Sequence, residues 1–267
     1  MQPLVSFIIP FFNAGKTIKE TIESIDRQSY KNYDIWIIND GSTDPYSLEV
    51  LEELKDHSKI TILHQENAGP SIARNKAIKE TNAEVIVPLD ADDRISVNTL
   101  ESAIPILLAE QSTGIVYGNL IFFGENDGIK HQPQFNIQQQ LIWNQIAVCC
   151  VIKKEVFKST GYFDEFLSKL GLEDWEFWIS VHLSGWRFKK IEAIHFEIRV
   201  HENSRTFQVA NKNKDSIKAY VYRKHADLLA TAYVQLFYDR KMLIETPDYR
   251  IGNMLLWPYR KLKSLFK

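Results

Sequence analysis

An α/β fold with a Rossmann-like, mostly parallel central sheet flanked by helices is predicted by three observations. Short and nearly continuous apolar runs recur through the first hundred residues, segments with helical spacing alternate with them, and the connections between are brief. Continuous apolar strands mark a sheet covered on both faces, and strand–helix alternation with short links marks right-handed βαβ units.

In chain order, strands are predicted at Val5–Pro10, Asp34–Ile38, Ile60–Leu63 and Glu84–Leu89. Between them, Ile18, Ile22 and Ile25, then Leu48, Leu51 and Leu54, then Ile72, Ala73 and Ala77 carry helical spacing. A fourth helix is expected over Val97–Ala109, with Ser96 as its cap and Pro105 as a kink. Beyond Gly114 the pattern becomes irregular. A strand at Ile115–Phe123 precedes a polar loop, Gly124–Gln134, and an apolar strand follows at Ala147–Ile152. Trp175–Leu183 reads as helix, and Arg187–Ile191 and Ala193–Val200 as strands. Within Asp215–Tyr238 the spacing of Val221, Leu228, Leu229, Ala232 and Leu236 is that of an amphipathic helix. The expected organisation is a main domain over 1–205, made of a nucleotide-binding-like half (1–95) and an irregular half (96–205), with a helical C-terminal extension over 206–267.

Composition narrows the function. With 267 residues, 45% of them hydrophobic, the chain can bury a large core without disulfide or metal staples. Lys and Arg number 32 against 34 Asp and Glu, a net charge of −2, which lacks the basic excess of a nucleic-acid binder. The only cysteines, Cys149 and Cys150, are adjacent and match no zinc spacing, so they are expected to be reduced core residues. The N-terminus has no basic leader region, and no apolar run approaches the ~20 residues of a membrane span. A soluble cytoplasmic protein is the resulting expectation.

Ligands of an open parallel sheet bind at the carboxyl ends of its strands. Those ends read Pro10-Phe11-Phe12-Asn13, Asn39-Asp40-Gly41-Ser42, Glu66-Asn67-Ala68-Gly69-Pro70 and Asp90-Ala91-Asp92-Asp93. Neither G-x-G-x-x-G nor a P-loop is present, so a dinucleotide fold and a P-loop nucleotidase are not supported. Carboxylates repel phosphate, so a phosphorylated ligand here needs a divalent cation between them. Asp-x-Asp suits Mg²⁺ or Mn²⁺. Asp40 can accept hydrogen bonds from a nucleoside, although Asp40-Gly41-Ser42 alone reads equally as a turn and Asp90–Asp93 as a capped loop. Arg74 is a surface residue or a phosphate or base contact. Asp174 opens a helix and is an N-cap or a general base, and His201 follows a strand as a surface histidine or a ligand.

Seven segments in order, VSFIIPFFN, IINDGSTD, ENAGPSIARNKAI, VIVPLDADD, GYFDE, GLEDWEFW and RVHENS, resemble family 2 glycosyltransferases of the GT-A fold over residues 4–205. The resemblance implies that Pro10, Phe11 and Asn13 line a nucleoside pocket and that Asp40 bonds the uracil or its ribose, with Arg74 nearby. It implies Asp90 towards ribose or sugar, Asp92 towards a Mn²⁺ or Mg²⁺ ion, and His201 at a position that helps to bind the metal or the diphosphate. Glu173 and Trp175 then belong to the acceptor side, with Asp174 as the base of a single inverting displacement. Residues 1–95 become the nucleotide-sugar half and 96–205 the acceptor half. The implied partners are a nucleotide-sugar donor, with UDP as the default nucleotide, and a glycan or lipid-linked acceptor in envelope or surface polysaccharide synthesis. A non-catalytic sugar-nucleotide-binding scaffold and a sugar nucleotidyltransferase are the rival readings; the second lacks its Gly-rich basic loop.

In residues 254–267, Leu255, Tyr259, Leu262 and Phe266 share one helical face while Arg260, Lys261, Lys263 and Lys267 occupy the rest. That pattern fits peripheral contact with anionic lipid, or packing on protein.

Overall fold

The structure, a computed structural model, describes residues 2–201 and 209–246. Its first hundred residues form β1 (Val5–Phe11), α1 (Ile18–Asp26), β2 (Tyr33–Asp40), α2 (Pro45–Leu54), β3 (Ile60–Gln65), α3 (Pro70–Glu80), β4 (Val85–Pro88) and the short β5 (Arg94–Ile95). There follow α4 (Thr99–Ala109), β6 (Thr113–Gly124), β7 (Gly128–Lys130), α5 (Ile137–Gln140), β8 (Val151–Lys153), α6 (Lys154–Thr160), a 3₁₀ turn at Glu165–Lys169, α7 (Glu173–Leu183) and β9 (Arg187–Val200). Two helices, α8 (Lys214–Lys224) and α9 (Ala226–Glu245), complete the described chain.

One sheet runs β3-β2-β1-β4-β8-β6-β9-β5, with β7 paired to β6. β1 pairs in parallel with β2 (Val5↔Tyr33) and with β4 (Val5↔Val85), and β2 with β3. The chain therefore steps outwards from β1 to β3 and returns to β1's other side at β4. That reversal opens the ligand crevice at the carboxyl ends of β1 and β4. β8 runs antiparallel between β4 and β6, β9 is parallel to β6, and β5 closes the edge by pairing Arg94 with Glu197.

Strand alternation sends side chains to two cores. Phe7, Ile9 and Phe11 join Ile18, Ile22, Val50, Val87 and Leu100 on one face of the sheet. On the other face Ile8 and Ile38 join Ala73, Ala77, Ile86, Phe157, Phe177 and Trp178. Cys149 and Cys150 are free thiols buried on opposite faces, and burial holds both well above the ordinary thiol range.

Four local expectations change. The α4 cap position is Asn98 rather than Ser96, whose carbonyl accepts the Thr99 N–H. Arg187–Val200 is one strand, because a register shift opposite Tyr117/Asn119 absorbs the break that reads as a gap in the sequence. The 215–238 stretch is divided between α8 and α9, and the Gly124–Gln134 loop contains β7. Cα proximity divides the chain into compact units at 1–218 and 219–267. Among the described residues no helix is long and apolar enough to cross a membrane; the 254–267 segment lies outside the described residues.

Candidate active site

Two asparagine–aspartate loops shape the crevice at the ends of β1 and β2. Asn13 takes a left-handed backbone conformation (φ 52°), which asparagine tolerates better than most side chains. Its Oδ1 accepts the Thr43 and Asp44 N–H groups at 2.8 and 2.9 Å, and its own N–H donates to Ser42 Oγ at 3.0 Å. Asn39 Oδ1 accepts the Ser42 N–H at 2.9 Å. The buried Asp40 carboxylate accepts from Gln65 Nε2 and from the Ala68 and Gly69 N–H groups, each at 2.8 Å. Of about four acceptor positions on a carboxylate, three are thus used in shaping the 66–69 turn. Gly69 is obligatory there. Its φ is 91°, and a Cβ would sit 2.6 Å from Ser168 Oγ and 2.7 Å from the Ser168 carbonyl oxygen.

Pro10 is half-buried, but Phe11 does not line a pocket: alternation turns it wholly into the core. Phe12, one residue on, is the aromatic that is half exposed.

The centre of the site is Arg74. The helix α3 is polar in composition, yet it buries Arg74 and Asn75. Arg74 Nη1 donates to Glu173 Oε1 at 2.6 Å, and Nη2 donates to Asp90 Oδ1 at 2.5 Å. Burial opposes its charge, but the two carboxylates outweigh that and hold the guanidinium protonated. Rather than touching a nucleotide base from the surface, Arg74 ties the Asp-x-Asp loop to the start of α7. Asn75 reinforces the junction by bonding both the carbonyl and the N–H of Phe163, at 2.8 and 3.0 Å.

Asp92 and His201 meet as the motifs suggested, with Asp92 Oδ2 3.0 Å from His201 Nε2. Burial and the neighbouring Asp90 charge raise the Asp92 carboxyl, against the pull of His201. The pair is hydrogen-bonded as it stands, and a carboxylate beside an imidazole is a donor set that a divalent cation can accept. Among the described residues there is no group of three or more metal-ligating side chains. Asp93 serves differently. It is buried, burial and its two neighbours raise its carboxyl well above the ordinary range, and its Oδ1 accepts the Arg199 N–H at 2.9 Å. Arg199 Nε returns a bond to the Asp92 carbonyl at 3.1 Å, and its guanidinium pairs with Glu20. β9 thus fixes the backbone of the Asp-x-Asp loop.

Asp174 is the second residue of α7, whose cap position, Leu172, is left-handed (φ 56°) and offers no side-chain cap. Its Oδ1 accepts the Trp175 N–H at 2.9 Å, and its Oδ2 accepts Asn144 Nδ2 at 2.8 Å. Burial and the Glu173 charge push it up to about 7, opposed by Asn144 and Arg74. A carboxylate with that affinity can take a proton near neutral pH and release it again. Trp175, placed by the resemblance on the acceptor side, and Trp178 both point from α7 wholly into the core. Each indole N–H is committed to a carbonyl, of Gln140 and Ile146 respectively, so they anchor the helix from beneath.

Sequence reading missed Asn144, Asn75, Phe12 and Arg199. Phe12 and Arg199 lay inside recognised segments and could have been found by continuing the strand alternation; nothing in the local pattern marked Asn144.

The fold is of the GT-A class. S. aureus TarS 1–349 in complex with UDP-GlcNAc superposes with a TM-score of 0.65 at 19% identity, over 77% of this chain and 61% of that one. The chain belongs to glycosyl transferase family 2, whose family model matches residues 6–163. GlyG of Streptococcus pneumoniae serotype 4 is 34% identical over 130 residues, 48% of this chain and 42% of that protein. The Escherichia coli protein WfaP, a UDP-Glc:α-D-GlcNAc-diphosphoundecaprenol β-1,3-glucosyltransferase, is 28% identical over 80% of this chain and 83% of its own length. The chain thus spans less than half of GlyG and about three fifths of that TarS chain.

Proposed function

We propose that this protein is an inverting glycosyltransferase that moves a sugar from a nucleotide-diphosphate donor, by default a UDP-sugar, to a hydroxyl of a glycan or lipid-linked acceptor in cell-envelope glycan synthesis. Family membership supports the reaction class. WfaP, which acts on a lipid-linked acceptor with UDP-Glc, and the TarS complex with UDP-GlcNAc support the donor and acceptor classes by similarity. The observation that carries the mechanism is the Arg74 bridge. One guanidinium holds Asp90, on the donor-side loop, and Glu173, next to Asp174. A proton acceptor poised near neutrality therefore sits beside the crevice where the donor would lie.

In this reading Asp174 takes the proton of the acceptor hydroxyl while that oxygen attacks the anomeric carbon and the bond to the diphosphate breaks. No covalent nucleophile is needed. Asp92 and His201 would hold a Mn²⁺ or Mg²⁺ ion, which would supply positive charge to offset that of the departing diphosphate. Asn13 and Asp40 fix the two loops that form the nucleoside end of the crevice. The protein would work in the cytoplasm at the inner membrane face, with residues 254–267 as the contact. Equal co-sedimentation of the full chain and a 1–253 truncation with anionic liposomes would rule that contact out.

The test is a thermal-shift panel of UDP, GDP, dTDP and their sugars with and without Mn²⁺, followed by transfer assays. A ligand at 100 times its Kd stabilises by about 2.7 kcal/mol, which is resolvable. Asp174→Asn should keep the nucleotide shift and lose transfer. A panel with no shift, or transfer retained by Asp174→Asn, refutes the reading.

A further inference from the structure

We infer that Asn144 is a positioning residue for Asp174, the last member of a one-way relay of side-chain amides that aims a hydrogen-bond donor at the carboxylate. The inference rests on Asp174 being the base.

The relay begins at Gln145, which is buried. Its Oε1 accepts the Asn136 N–H at 3.2 Å, and its Nε2 donates to the Asn136 carbonyl at 2.6 Å. Both partners are backbone groups whose roles are fixed by chemistry, so the orientation of this amide is fixed too. Gln145 Nε2 also donates to Gln140 Oε1 at 3.3 Å, and the Gln145 backbone N–H donates to the same oxygen at 3.0 Å. With its oxygen held by a backbone donor, Gln140 must turn its NH₂ the other way. That group donates to Asn144 Oδ1 at 3.2 Å and to the Trp175 carbonyl at 3.3 Å. Asn144 has then only its NH₂ left for Asp174 Oδ2, at 2.8 Å.

Every amide in the series accepts on the side away from Asp174 and donates towards it. Bonds aligned in this way polarise one another, so the final donor is stronger than an isolated amide. The relay also explains why an otherwise irregular stretch buries Gln140 and Gln145 completely. Their role is to lock a turn whose side-chain donor must face one carboxylate oxygen.

The charged and titratable groups facing Asp174 come from its own helix and from two other places. Glu173 lies beside it on α7, Arg74 reaches in from α3, and the Cys150 thiol stands just before β8. Glu173 favours the protonated acid and Arg74 the anion, while Asn144 also favours the anion. Removing Asn144 leaves the other two in place, so its effect can be read separately.

The experiment is a ¹³C NMR pH titration of the full chain labelled at aspartate Cγ, with the Asp174 resonance assigned by its loss in Asp174→Asn. The wild-type midpoint is expected near 7. Asn144→Leu should move it upwards by about one pH unit, the worth of a hydrogen bond to a charged group. Asn144→Asp, which keeps the shape, should move it further because it adds a like charge. If Asn144→Leu does not fold, Asn144→Ser, too short to reach, should reproduce the upward shift. A midpoint unchanged in the folded variants overturns the inference. Retained transfer by Asp174→Asn overturns the base reading instead, so the two failures are told apart. A merely structural Asn144 would change stability and leave the midpoint where it is.

Discussion

Replacing Arg74 by methionine removes one cation from between two carboxylates and leaves a side chain of similar volume. The Arg74 and Glu173 side chains are 3% and 6% exposed, whereas that of Asp90 is 42% exposed. The two halves of the bridge therefore differ in weight. Asp90 can turn to water, so its half is worth about 1 kcal/mol or less. Glu173 cannot, and breaking one partner from a buried pair costs about 3–5 kcal/mol. Arg74→Met should thus lose about 3–5 kcal/mol in urea denaturation at pH 8, a large share of a typical total of about 5–15. A buried carboxylate deprived of its cation gains proton affinity, so in the variant the folded state holds a proton that the unfolded state releases. The penalty is then full above the raised pKa and shrinks as pH falls below it. Adding Glu173→Gln should return at least about 2 kcal/mol at pH 8. A loss under 1 kcal/mol that does not vary with pH would refute a buried, charged bridge.

Asp174 has its pKa raised in the folded state, so it destabilises the fold as pH rises from about 4 through about 7; thermal denaturation should show Asp174→Asn gaining on the wild type from pH 5 to pH 8, and parallel curves would contradict the shift. The transfer rate should fall on the acid side of about pH 7 for the same reason, and a flat acid limb in the pH–rate profile would argue against Asp174 as base. Asp92→Ala removes half of the pair with His201, so any Mn²⁺-dependent part of the nucleotide thermal shift should disappear while a Mn²⁺-independent part stays. Phe11→Ala should cost about 3–5 kcal/mol and Phe12→Ala about 0.5 kcal/mol or less, since only the first opens a core cavity; nucleotide affinity should respond to Phe12 instead.

How far these features can be read without the structure depends on what orders each segment. β1, β2 and β4 are legible because burial on both faces leaves an apolar run, and β3, the half-buried edge strand, because Ile60, Ile62 and Leu63 still mark it. The carboxylates Asp40, Asp90, Asp92 and Asp174 are legible because they stand at element ends. The direction of Phe11 is not legible in the motif, because the pleat decides which of the neighbours Phe11 and Phe12 faces out. Arg74 reads as a surface cation since its two partners lie 16 and 99 residues away along the chain. The 132–147 stretch carries no period because side-chain amides bonded to backbone order it, and glutamines leave no hydrophobic pattern.

The pair of buried thiols has a practical consequence for experiments on the crevice. Alkylating reagents attack the thiolate, and burial keeps both Cys149 and Cys150 in the protonated form and out of reach. The chain has no other cysteine. A single thiol introduced at the half-exposed Phe12 would therefore react alone, without first removing the native pair. A fluorophore or spin label there would report on the crevice with the native pair left in place, its effect on nucleotide affinity being measured alongside.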